Sequence, residues 1–257
     1  MVEPLAQVVA SPNAQHVTTI PNEDSRFSEL DDLNLLFSNR MNGFDKTDSG
    51  RRLVYGVNNG FFGEKGRRLF LFLGQSYRLN REKVSLIGDH KKASDYVTRI
   101  QIVPIHWFKV HYRGRFEPVH MQNRFSEITT NFGVPKLSLS NTIAYINKGD
   151  TPNGQDIRQL NWRIASQIND EWNLSFTQSR NFARGQKNSL AQMASLVYQN
   201  DCFQVSTGLY HTKFRDRDIK PDTGFLLQFT FKDLGSFKPY AASSIPNITL
   251  RKLDYGE

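Results

Sequence analysis

The sequence predicts an all-β protein, a transmembrane antiparallel up-and-down β-barrel of about twelve strands. Three observations carry this reading. The first is two-residue alternation: Trp172, Leu174 and Phe176 are apolar, while Asn173, Ser175 and Thr177 between them are polar. Phe108, Val110 and Tyr112 interleave in the same way with Lys109, His111 and Arg113, as do Phe225, Leu227, Phe229 and Phe231 with Leu226, Gln228, Thr230 and Lys232. Successive side chains of a strand point to opposite faces, so each run has one apolar and one wet face. The second is length: the runs span about ten residues, as a tilted membrane strand requires, whereas globular strands average nearer five or six. The third is that short turns alternate loosely with longer connections, as they do at the two ends of a membrane barrel.

In order along the chain, residues 2–10 read as a short strand and 11–50 as a long polar connection. That connection holds Pro12, Pro21 and an acidic cluster of Glu23, Asp24, Glu29, Asp31 and Asp32. In a compact soluble domain so long a connection would be suspect, but on the outer side of a barrel it is ordinary. Leu33, Leu35, Leu36 and Phe37 suggest a short helical or extended piece within it. Strands are then expected at 51–62, 67–78, 94–105, 106–116, 119–132, 135–147, 156–168, 171–181, 189–199, 202–214 and 222–232. Gly63-Glu64-Lys65-Gly66, Asn169-Asp170 and Asn200-Asp201 mark tight turns, and 79–93, 148–155 and 182–188 mark loops. Residues 1–232 therefore read as the barrel portion and 233–257 as a non-alternating C-terminal tail.

Composition bounds the alternatives. The 257 residues can form one large all-β domain, and no stretch reaches the roughly 18 apolar residues of a helical span. Mean hydropathy is −0.53, a value that does not exclude a barrel, in which only every second residue meets lipid. The net charge of +8 suits anionic partners such as lipid headgroups or phosphorylated glycolipid. No RNA- or DNA-reading signature accompanies it, so no nucleic-acid partner is expected. The single cysteine, Cys202, cannot close an internal disulfide. The opening residues lack a secretory signal. Under the membrane reading, the chain is then expected to be a portion of a longer protein.

Catalytic chemistry finds little support. His106, His111, His120 or His211 with Ser138 or Ser140 could in principle form a hydrolase pair, but no spacing joins them. The intervals between His106, His111 and His120 do not keep one strand face, which argues against a metal site. Neither a catalytic residue nor a cofactor is expected. Glu23, Asp24, Asp31 and Asp32 could hold a divalent cation or be a solvated loop. Arg51, Arg52, Arg67 and Arg68 lie at strand ends, where they could contact glycolipid phosphates or snorkel to the membrane surface.

Specific residues resemble one family. The ordered segments Ile20-Pro21-Asn22-Glu23-Asp24-Ser25, Leu33-Asn34-Leu35, Asn39-Arg40-Met41-Asn42-Gly43-Phe44-Asp45-Lys46, Gly50-Arg51-Arg52 and Tyr55-Gly56 resemble the lipopolysaccharide-assembly family LptD, the organic solvent tolerance proteins. Gly74-Gln75-Ser76-Tyr77 looks like its next strand. Tyr198, Cys202, the run Arg215 to Thr223 and Phe229 to Gly235 resemble its closing strands. The resemblance implies the C-terminal half of a large outer-membrane barrel in a Gram-negative bacterium, exporting lipopolysaccharide without making or breaking bonds. It implies an LptE-like plug lipoprotein, an LptA-like periplasmic bridge and the missing N-terminal LptD portion as partners, beside lipopolysaccharide and outer-membrane lipid. It also implies a lateral gate at the last strand, with Phe225, Leu227, Phe229 and Phe231, and a disulfide from Cys202 to another segment. A free-standing porin-like diffusion channel or a small outer-membrane hydrolase is the alternative.

Overall fold

The computed structural model of the chain describes residues 1–11, 29–41, 48–79, 86–90, 92–151, 154–182, 188–213, 221–231 and 235–237. Among them there is no α-helix. Thirteen strands follow one another: β1 (Val2–Ser11), β2 (Gly50–Phe62), β3 (Arg68–Arg78), β4 (Tyr96–Ile105), β5 (Phe108–Phe116), β6 (Asn123–Val134), β7 (Leu137–Ile146), β8 (Ile157–Gln167), β9 (Trp172–Asn181), β10 (Asn188–Gln199), β11 (Phe203–Thr212), β12 (Asp222–Phe231) and β13 (Gly235–Phe237). They lie side by side in chain order in one sheet, with no crossover. This is the up-and-down order that alternation and short turns predict. Twelve strands are nine to thirteen residues long, and their bounds differ from the expected ones by a few residues at most. The tail contributes a thirteenth strand, the three-residue β13, which pairs with the end of β12 through Phe229–Phe237, Thr230–Ser236 and Phe231–Gly235.

The chain divides into two compact units, the first comprising Met1–Val134, Leu139–Trp162 and Arg180–Asn188. In this unit the register assigns each residue to a face. Leu53, Tyr55 and Val57 of β2 pair with Val8, Ala6 and Pro4 of β1 and with Tyr77, Gln75 and Leu73 of β3. Leu71 and Leu69 continue across to Ile100 and Ile102 of β4, to Tyr112 and Val110 of β5 and to Ile128 and Thr130 of β6. This face is apolar, and it is the open one: Val8, Tyr55, Val57, Leu73, Ile102 and Ile128 are all exposed. Trp107 and Phe132 pack edge to face near the β4–β5 turn, with ring centroids 5.3 Å apart.

The opposite face carries Arg52 and Asn58 of β2, Ser76 and Arg78 of β3, Arg99 and Gln101 of β4, His111, Arg113 and Arg115 of β5, and Glu127 and Thr129 of β6. Here the long connections behave differently from the outer loops expected of them. Residues 29–41, 48–49, 86–90 and 92–95 lie against this polar face and shut much of it from solvent. Leu30, Leu35, Met41 and Leu86 from the connections form a core with Val54, Phe72 and Val97 from β2, β3 and β4. The expected short piece at 33–37 is a turn. Asp31 Oδ1 accepts from the Leu33 and Asn34 amides, and the Leu35 amide donates to the Asp31 carbonyl. That turn buries Leu35 and leaves Leu33 and Phe37 exposed. Gly74 makes room for it, since a Cβ there would stand 2.5 Å from Leu35 Cδ2. The physical reason for the inward fold is polarity: a sheet face bearing five arginines needs counter-charges, and the connections supply them.

The second unit comprises Pro135–Ser138, Arg163–Ser179 and Ser189–Glu257. Its β10, β11 and β12 form an antiparallel ladder in which Tyr198, Val205 and Phe229 share one row, Leu196, Thr207 and Leu227 the next, and Ala194, Leu209 and Phe225 a third. Ser195, Gly208 and Leu226 lie on the other face. Trp172, Tyr198 and Phe203 form an aromatic run with centroid separations of 4.9 and 5.7 Å.

Candidate functional site: a charged face closed by its own connections

Two layers of ion pairs join the connections to the polar face of the first unit. In the deeper layer, Asp48 accepts from Arg40 Nε at 2.6 Å and from Arg78 Nη2 at 2.5 Å, and lies 2.9 Å from Arg52 Nη1. Asp89 meets Arg78 Nη2 at 3.0 Å and also bonds Arg40. Arg52 Nη2 further donates to the Phe37 and Ser38 carbonyls, and Arg78 Nη1 to the Ser49 carbonyl. All five charged side chains are at most 1% exposed. Three guanidiniums against two carboxylates leave one positive charge in excess. Burial opposes the charge on Asp48, but the hydrogen bond and field of Arg40, with Arg52 and Arg78, hold its pKa below the ordinary 3.8.

Beside it, Arg115 is buried and reaches Glu29 at 2.7 Å, Asp150 at 2.6 Å and Asp95 at 3.5 Å. Burial raises the pKa of both Glu29 and Asp150, against the pull of Arg115. His90 contacts Asp95 at 2.7 Å, and that hydrogen bond raises the imidazole pKa above 6.5. Gly88, at φ +88°, lets Arg115 through: a Cβ there would lie 2.7 Å from Arg115 Nη1.

The shallower layer is Asp32 with Arg113 (2.7 Å) and Arg99 (3.1 Å), Asp31 with Arg113 (3.0 Å), and Glu127 with Arg113 at 3.9 Å. Sequence reasoning did not single out Arg40, Arg78, Arg99, Arg113 or Arg115. Their carboxylate partners lie up to 86 residues away, as Glu29 does from Arg115, and no local pattern marks such a pairing. The one available signal was the spacing of Lys109, His111, Arg113 and Arg115, which alternation places on one face of β5.

What the sheet presents is the reverse of a soluble protein: apolar side chains face outward, and charges are gathered on the covered side. Such a sheet fits a lipid exterior. Comparison with known proteins agrees. The family model for LptD, LPS transport system D, matches residues 1–172. The chain belongs to the LptD family. A search of curated proteins found no match. LptD proteins are non-enzymatic β-barrel components of lipopolysaccharide transport in the outer membrane of Gram-negative bacteria, working with lipopolysaccharide and other Lpt components. This LptD chain accordingly has a role in lipopolysaccharide transport and outer-membrane assembly. The match stops short of β10–β12, so the resemblance seen near Tyr198 to Gly235 lies outside it.

The residues singled out from the sequence fall in three places. Arg51 and Arg52 stand at the end of β2 next to the long connections, and Arg67 and Arg68 at its other end, about 33 Å away along the strand at ~3.3 Å per residue. The structure does not bring the two pairs together. Arg51, Arg67 and Arg68 are exposed, but Arg52 must be removed from the set of glycolipid contacts. Its guanidinium is wholly buried and committed to Asp48 and two carbonyls, because alternation turns it to the face opposite Arg51. Phe225, Leu227, Phe229 and Phe231 share one face of β12. Cys202 is exposed in the β10–β11 turn, a free thiol whose amide donates to Asn200 Oδ1.

Of the cation candidates, Asp31 and Asp32 are paired with arginines, while Glu23 and Asp24 lie outside the described residues. Among the described residues no group of three potential metal ligands occurs. Ser140 Oγ donates to Asn131 Oδ1 and Ser138 Oγ to the Ala165 carbonyl, so neither hydroxyl is hydrogen-bonded to a histidine as a nucleophile would be.

Proposed function

We propose that this chain forms part of the outer-membrane wall through which lipopolysaccharide reaches the cell surface of a Gram-negative bacterium. The sugar-phosphate head would pass along the polar face while the acyl chains leave through an opened strand seam. The observation that carries this reading is the inverted polarity of the sheet, with Tyr55, Val57, Leu73, Ile102 and Ile128 open on one side and Arg52, Arg78, Arg99, Arg113 and Arg115 on the other. A face of that charge suits a phosphorylated head group, and the apolar one suits hydrocarbon.

The seam is proposed at β12. That strand is paired over its ten residues with β11 and over only three with β13, so Asp222 to Gln228 have no ladder partner on the second edge among the described residues. Unpaired backbone groups are costly in lipid, about several kcal/mol each, which makes such an edge the place where a strand partner is exchanged. Exposed Arg51, Arg67 and Arg68 are proposed contacts for glycolipid phosphates, and Cys202 a site of disulfide bonding to another segment. An LptE-like plug and an LptA-like bridge are the proposed partners.

Proteoliposomes containing the chain with its Lpt partners test the reading. Lipopolysaccharide supplied on the short-turn side should become accessible on the opposite side, and a disulfide clamping β12 to its neighbour across the seam should abolish delivery. Conductance of small ions by the chain alone, without glycolipid transfer under any partner condition, would establish a porin-like channel instead.

A further inference from the structure

The inner edge of the ion-pair system is a row of basic side chains on a single strand. Lys109, His111, Arg113 and Arg115 alternate along β5 and therefore share one face, about 7 Å apart. Their cross-strand neighbours extend the rows. Arg99, Arg113 and Glu127 stand in register, and Gln101, His111 and Thr129 in the next row, where Thr129 bonds Thr142 at 3.0 Å. The row has two distinct halves. Arg115 and Arg113, nearer the long connections, are taken by Glu29, Asp31 and Asp32 with Asp95 and Asp150. Lys109 and His111, nearer the short β4–β5 turn, carry no ion pair among the described residues.

Burial separates the bonds that hold from those that can exchange. Arg40, Arg52, Arg78 and Arg115 are at most 1% exposed. The side chains of Arg99 and Arg113 are 30% and 21% exposed and Asp31 is 32% exposed, while the Asp32 carboxylate that joins the two arginines is 2% exposed and is reached only through them. An incoming anion can reach the second group without first dismantling the first. A guanidinium donates to phosphate oxygens with the same fork geometry that it offers a carboxylate. Asp31 also organises the connection, and Asp32 ties it to Arg99 and Arg113. Asp31 caps the turn that buries Leu35, and the Leu30 amide beside them is bonded to the Ile87 carbonyl.

We propose that Lys109, His111, Arg113 and Arg99 form an anion rail for the phosphate groups of the transported glycolipid, and that Asp31 and Asp32 are its internal stand-ins, holding residues 29–41 over the face until a phosphate replaces them. This rests on the transport reading above and deepens it. Phosphate first meets the open rungs, Lys109 and His111, then displaces Asp31 and Asp32 from Arg113 and Arg99. The released connection uncovers the charged face ahead of the cargo, while the buried Arg40–Asp48–Arg78–Asp89 network keeps its far end anchored.

Hydrogen exchange of peptides spanning 29–41, in the full chain in lipid nanodiscs, tests the proposal. Bisphosphorylated lipid A should speed exchange of this segment by about tenfold or more, and its dephosphorylated form should not. Asp31→Asn with Asp32→Asn should reproduce the fast exchange without ligand, and the charge-preserving D31E/D32E pair should restore slow exchange. Lys109→Gln with His111→Gln should leave resting exchange unchanged and raise the lipid A concentration needed for release several-fold. Slow exchange in D31N/D32N, or release of K109Q/H111Q at the wild-type concentration, overturns the proposal. Glycolipid transfer measured on the same preparations keeps the two ideas apart: transfer with an unresponsive 29–41 segment refutes the rail alone, and absence of transfer by the wild type refutes the transport reading.

Discussion

Asp48 illustrates how much one side chain holds. It pairs with three guanidiniums, those of Arg40, Arg52 and Arg78, each at most 1% exposed. Removing one partner from a buried ion system leaves uncompensated charge, at a cost of about 3–5 kcal/mol. Asp48→Ala is therefore expected to lower the unfolding free energy by about that amount, measured by urea titration in lipid vesicles. The pH sign follows from the depressed carboxyl pKa: the stabilisation is complete above the ordinary 3.8 and is lost as pH falls through the lower folded value. His90 has the opposite sign. Its pKa is raised by Asp95, so the contact contributes fully below 6.5 and fades as pH rises through the folded value. An NMR titration of the His90 ring should place its midpoint above 6.5, and Asp95→Asn should return it toward that figure. None of these pairings was legible in the sequence. An arginine on the wet face of a strand, such as Arg78, looks the same whether it meets water, phosphate or an aspartate 30 residues away.

At the scale of a strand, legibility was high. Alternation is a local property, and the expected 51–62 and 67–78 form at Gly50–Phe62 and Arg68–Arg78. What periodicity could not supply was which connection turns back over the sheet. The 11–50 stretch has the polarity of a surface loop, and nothing in its sequence separates the apolar residues that pack, Leu30, Leu35 and Met41, from those that stay exposed, Leu33 and Phe37. The two faces of a strand should also respond unequally to the same change. Leu73→Lys, on the open apolar face, is expected to cost about 2–4 kcal/mol of folding free energy in a bilayer. Gln101→Lys, on the polar face of β4, should cost much less. Parallel urea titrations of the two variants in vesicles check this. Gly74→Ala should destabilise by about 1–3 kcal/mol through the clash with Leu35 and release the 31–37 turn, seen as faster exchange of the Leu35 amide.

For the whole molecule, the prediction concerns the solvent it requires. The open apolar face of the first unit, with Trp107 and Phe132 packed near its β4–β5 turn, predicts dependence on detergent or lipid, and the second unit has its own aromatic cluster of Trp172, Tyr198 and Phe203. Brominated lipids should quench the fluorescence of Trp172, which lies at the turn end of β9, more strongly when bromine is shallow than when it is deep. Full solubility of the compact monomer in plain buffer would contradict the apolar exterior. Family membership was legible because its motif residues stand in order along the first part of the chain, within the region matched by the family model.

The buried Arg40–Asp48–Arg52–Arg78–Asp89 network sets a timetable for biogenesis. β2 and β3 bring Arg52 and Arg78, whereas Asp48 and Asp89 arrive from connections on either side of the hairpin. A hairpin that entered hydrocarbon early would drag two bare cations with it, so both flanking segments have to fold back before or during insertion. Membrane entry of the hairpin and acquisition of its counter-ions are thus coupled.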